Sequence, residues 1–149
     1  MIFTIPGPLK LEHEELHAEL VRATQAGGRV GEAAKGVAKV LHDHFVKEEE
    51  FALPPLGLLS SLARGKVDEN MGSVLRMTNQ LKAELPKMIE EHKAVVAELK
   101  NLIAAAEADN KLEHARFAEK LMLHAQTEEE VLYPASILIG EYLKLKLQT

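Results

Sequence analysis

The sequence predicts an all-α protein, an up-down-up-down four-helix bundle with short extra helices after the second and fourth long helices. Three observations predict it. Ala, Leu, Glu and Lys are abundant, aromatics make up only 4% and Trp is absent, a balance that favours helix over sheet. Apolar residues recur at helical spacing in four long stretches. Breakers separate those stretches at Gly27-Gly28, Pro54-Pro55 and Asp109-Asn110, so most connections are short.

Taken in order, the first helix starts near Pro8, which suits a first turn, and carries Leu9, Leu16 and Leu20 to a stop at Gly27-Gly28. The second covers roughly Gly31 to Leu53 and is halted by Pro54-Pro55. Residues 54–72 mix apolar residues with breakers, which predicts a short helical cap and then a loop. The third runs from about Ser73 to Ala106, bent at Pro86. The fourth follows the Asp109-Asn110 turn and continues to Tyr133, and the apolar tail Ala135–Leu147 predicts one more short helix.

A chain of 149 residues is the size of one domain, so residues 1–149 are expected to form a single one. The formal charge of −5 is spread over interleaved acidic and basic residues, with no basic patch among aromatics, which argues against a nucleic-acid partner. The lack of Cys excludes disulfides, thiolate-bound zinc, iron–sulfur clusters and a Cys nucleophile. Met1–Pro8 has no basic start and two prolines, a poor signal peptide, and no apolar run approaches membrane-spanning length. A soluble cytoplasmic protein with no membrane partner is the expectation.

The chain is also an approximate duplication, of residues 9–60 and 88–140. His44-Phe-Val-Lys-Glu48-Glu-Glu matches His124-Ala-Gln-Thr-Glu128-Glu-Glu 80 residues later, each with a Pro ten residues after its His. Glu12-His13 matches Glu91-His92 at an offset of 79. On a helix, residues four apart lie about 40° apart on one face, so each His-x-x-x-Glu pair can reach one centre. The inward stripes are Leu9, His13, Leu16, Leu20; Val37, Leu41, His44, Glu48, Phe51; Leu85, Met88, His92, Val95, Leu99; and Phe117, Leu121, His124, Glu128, Val131. His13 and His44 flank the first turn about evenly, as His92 and His124 flank the second. Antiparallel helices would place all four His and both Glu in one buried layer. Such a layer is costly without compensation, and a metal supplies it. His13, His44, Glu48, His92, His124 and Glu128 are therefore the candidate ligands of a dinuclear metal site.

A lone His on an apolar stripe is more often a packing residue, but four in one layer with two Glu are not explained that way. Other groups fail the same test. His42 is about 160° around its helix from His44 and faces solvent. His114 sits about 15 Å along the axis from His124, at the end of the core. Glu49, Glu50, Glu129 and Glu130 point away from the site and are solvated. His17, one turn after His13, can approach the site as a further ligand, although its repeat partner Val96 marks a packing position. Tyr133, opposite Leu53 in the repeat, is expected at the bundle end.

At these residues the chain resembles the hemerythrin-like (HHE cation-binding) family, over about residues 9–135. The ordered set of His, His-x-x-x-Glu, His, His-x-x-x-Glu carries the likeness. It also separates the chain from ferritin-like bundles, which use Glu-x-x-His. The resemblance implies two iron ions with an oxo or hydroxo bridge, His13 and His44 on one, His92 and His124 on the other, Glu48 and Glu128 between them. The chain departs from the oxygen carriers twice: Met88 stands where they have another His, and Glu128, four residues after its His, stands where they have Asp at five. The departures leave coordination positions open and put reversible oxygen storage in doubt.

The function expected from the resemblance is binding or sensing of a small ligand, dioxygen, nitric oxide or peroxide, at an open iron position. The alternatives are a di-iron peroxidase or oxidase, and an iron storage or donation protein. The ligand types alone also suit zinc or manganese; iron comes from the resemblance.

Overall fold

The computed structural model describes residues 4–148. Met1–Phe3, the start of the segment weighed as a signal peptide, lie outside the described residues. Among the described residues the chain is helical, with no strand.

α1 spans Gly7–Thr24, with Pro8 in its first turn, where the missing N–H costs nothing. It stops before Gly27 and Gly28, whose φ of +73° and +56° suit residues without a Cβ. α2 follows at once, Gly28–Lys47, three residues earlier than expected. A five-residue π turn, Glu48–Ala52, then widens the helix, and Leu53 N–H donates to the Glu48 carbonyl at 2.9 Å. Pro54 opens a 3-10 turn, Pro54–Leu58, and α3 spans Leu59–Ala63. A second 3-10 turn, Glu69–Val74, leads into α4, Leu75–Ala108, which runs through Pro86. Asn110, at φ 54°, turns the chain into α5, Leu112–Thr127. A π turn follows here too, Glu128–Leu132, and the chain continues as α6, Tyr133–Leu147.

α1 packs on α2 and α5, and α4 packs on the same two helices, so the four long helices close a ring. The two turns touch: Arg29 beside the first bonds Asp109 at the second at 2.6 Å, and Lys111 Nζ donates to the Ala26 carbonyl. α6 lies against α4, where Gly140 faces Thr78 so closely that a Cβ would collide with its side chain.

The interior has apolar regions on both sides of a polar layer. One holds Leu16, Leu20, Val37, Leu41, Val95, Leu99, Phe117 and Leu121. Beyond the layer lie Phe51, Ala52, Leu81, Met88 and Tyr133, and then a cluster built from Leu53, Leu56, Ile139 and Leu143. The expected stripes hold except at one position. Val131, expected inward, is 56% exposed, and Tyr133 is buried instead. The π turn accounts for Tyr133: its i to i+5 bond, from Tyr133 N–H to the Glu128 carbonyl, brings the fifth residue after Glu128 back over it. Phe51, at the place of Val131 in the other half, stays buried after the same turn.

Candidate metal centre

The polar layer consists of His13, His44, Glu48, His92, His124 and Glu128, all buried. Each stands on an inward stripe between apolar neighbours: His44 one turn after Leu41, His124 one turn after Leu121, and His92 between Met88 and Val95. Burial of these apolar neighbours holds the polar groups in water-free surroundings, where an unanswered donor or acceptor is expensive.

Donor atoms converge in two groups, each able to hold a metal ion: His44, Glu48, His92 and Glu128, and His13, His124 and Glu128. Glu128 belongs to both. Its oxygens lie 3.1 Å from His124 Nε2, 3.3 Å from His92 Nε2 and 3.5 Å from His13 Nε2. Glu48 Oε1 lies 3.8 Å from both His44 Nε2 and His13 Nε2. The rings pair in the same way, His44 with His92 at 4.4 Å between centroids and His13 with His124 at 5.1 Å. This grouping differs from the one the resemblance implies. Each pair takes one His from each half of the duplication, because the ring of helices sets α2 against α4 and α1 against α5.

The outer edges of the rings are held by carboxylates. His44 Nδ1 donates to Glu91 at 3.0 Å, His92 Nδ1 to Glu129 at 2.9 Å, and His124 Nδ1 to Glu12. Glu49 stands 3.9 Å from His13 Nδ1. Glu129 is thus not solvated as expected but bonded to a site imidazole. Carboxylates only accept, so in a neutral ring each of these bonds puts the proton on Nδ1 and aims the Nε2 lone pair inward.

Tyr133, expected at the bundle end, is fully buried and reaches into the layer. Its hydroxyl donates to Glu48 Oε2 at 2.7 Å, and its oxygen lies 3.1 Å from His44 Nε2 and 3.3 Å from His92 Nε2. A hydroxyl has one proton and Glu48 takes it, so those two imidazole lone pairs go unanswered. Both ring nitrogens of His13 and Glu48 Oε1 also lack a hydrogen-bond partner. Acceptors outnumber protons throughout the layer. A cation is what such a donor set fits.

The ionisation pattern agrees. Burial and then the facing Glu128 carboxylate push the Glu48 carboxyl well above the usual range. Burial would also raise Glu128, but its contacts with Glu48 and with the imidazoles of His124, His13 and His92 pull it well below. Burial lowers His44, despite its bond to Glu91. Burial works against charge on His124 as well, yet contact with Glu128 and Glu12 outweighs it and raises that pKa. Both shifts favour retention of a proton, on Glu48 and on His124.

The remaining candidates stand apart from both groups. His17 and His42 are exposed and line an outer groove, and His114 is paired with its neighbour Glu113, at 3.6 Å. Among the described residues no helix is long and apolar enough to cross a membrane. No family model matches the chain, and neither does any curated protein or solved structure.

Proposed function

We propose that this chain is a hemerythrin-like di-iron protein with an up-down-up-down bundle, which binds or senses dioxygen, nitric oxide or peroxide. The observation that carries the reading is the pair of buried donor groups sharing Glu128, in which inward lone pairs exceed the protons available to answer them. His44 and His92 would hold one ion and His13 and His124 the other, with Glu128 between them and Glu48 on the first. That set supplies few protein donors per ion, which leaves room for an outside ligand on a six-coordinate metal. Iron, when bound, would supply that open position and the redox chemistry. The protein's own part is to fix imidazole orientation through Glu12, Glu91 and Glu129 and to keep water out of the layer.

Tyr133 favours a second reading, the peroxidase or oxidase. Its buried hydroxyl donates a hydrogen bond to a candidate ligand, and such chemistry needs a donor beside an open metal position, although burial and the Glu48 carboxylate push the Tyr133 pKa up.

The test is a set of anaerobic visible spectra of the ferrous protein, before and after dioxygen, nitric oxide and peroxide. A binder gives a stable new spectrum with one gas, and steady peroxide consumption identifies the enzyme. Spectra indifferent to all three would contradict both readings.

A further inference from the structure

An outer groove flanks the polar layer on each side, and matching positions of the two halves line both. Between α1 and α2 a groove of about 480 Å³ includes His13, His17, His42, Phe45 and Glu49. Between α4 and α5 one of about 730 Å³ includes His92, Val96, Met122, Ala125 and Glu129, their repeat partners in the same order. The walls differ most at one position. The Phe45 ring stacks on one face of His13, with centroids 4.7 Å apart and planes 23° apart. Its counterpart is Ala125, a single methyl. The aromatic partner of His92 is Tyr133, which is buried on the far side and does not line the groove.

We propose that small ligands reach the layer through the α4–α5 groove and arrive at His92, and that Ala125 and Phe45 decide this. Ala125 adds only a methyl to its wall, and Phe45 lays a ring against His13 at the corresponding place. Most of the passage's exposed wall is apolar, with Val96, Ala97, Met122 and Ala125 in it. Lys93, Lys100, Glu119, Gln126 and Glu129 line it as well. A small, weakly hydrated molecule such as nitric oxide or dioxygen crosses such a wall without losing hydration, whereas a charged ligand must shed water. The route rests on the metal reading only for its destination; the Phe45/Ala125 difference in the walls exists without metal.

Two measurements test it. Diethyl pyrocarbonate labelling of the metal-free protein, followed residue by residue by mass spectrometry, should modify His92 faster than His13. Ala125→Phe should remove that advantage, and Phe45→Ala should raise labelling of His13. In the ferrous protein, Ala125→Phe should slow nitric oxide binding by about tenfold in stopped-flow absorbance. Phe45→Ala, which removes bulk instead of adding it, should leave that rate equal or faster. Circular dichroism identifies a variant that fails to fold, and in that case the wild-type labelling order and Phe45→Ala decide. Equal labelling of His13 and His92 in the wild type, or a rate governed by Phe45 alone, overturns the route. Failure to take up iron sinks the metal reading and leaves the labelling result to stand on its own.

Discussion

The two halves of the molecule carry the same ligand pattern and differ in what surrounds it. In the first, the chain leaves the π turn after Glu48 into Pro54 and a 3-10 turn, with Leu53 buried in an apolar cluster. In the second, the same π turn after Glu128 runs on into α6, and Tyr133, the counterpart of Leu53, puts its hydroxyl on Glu48 of the opposite half. Phe45 stacks on His13 where its counterpart Ala125 adds only a methyl to the groove that includes His92. Glu128 touches three imidazoles through its two oxygens, while Glu48 receives the tyrosine proton. A duplicated scaffold therefore fixes the candidate ligands twice over, and single substitutions around it make the two sides unequal.

The largest expected effect breaks the comparison between the two carboxylates. Glu128→Ala removes the one group common to both donor sets and should empty both. Glu48→Ala should weaken chiefly the His44/His92 set. Metal analysis by mass spectrometry separates them, and equal losses from the two variants would count against Glu128 as the shared ligand. The tyrosine comes next. Ligating carboxylates held by hydrogen bonds typically lose about 10–100-fold in metal affinity when that partner is removed. Tyr133→Phe should do the same in a metal titration, and unchanged affinity would mean the hydroxyl plays no part at Glu48. The smallest effect concerns His17, which is exposed and outside both donor groups. His17→Val copies Val96 of the other half, so stability should stay within about 0.5 kcal/mol. Metal content and visible spectrum should be unchanged as well. A shifted spectrum would place His17 on the metal.

The six buried donors were legible in the sequence because the duplication repeated them at offsets of 79 and 80 on apolar stripes. Tyr133 was not, for two reasons. A 3.6-residue period carried past Glu128 points to Val131, and only a π turn brings Tyr133 inward. Its repeat partner Leu53 also suggested packing. The outer carboxylates were hidden in another way. Glu12 and Glu91 each stand one residue before a site His, on the flank of the helix, and only the neighbouring helix shows that they face His124 and His44. The doubled Glu12-His13 and Glu91-His92 dipeptides were the available signal. Which imidazoles pair could not be read either, since periodicity gives the face of a helix and not its neighbour.

If the polar layer exists to hold metal, Fe(II) must stabilise the fold, and thermal melting of the metal-free protein against the same protein titrated with Fe(II) shows whether it does. A ligand present at a thousand times its Kd adds about 4 kcal/mol to stability. At about 2–4 °C per kcal/mol for a domain somewhat larger than this one, the shift is on the order of ten degrees. The expected result is a rise of that size, complete at two irons per chain. An identical melting curve with and without iron would show that the layer is satisfied by its own protons and does not hold metal.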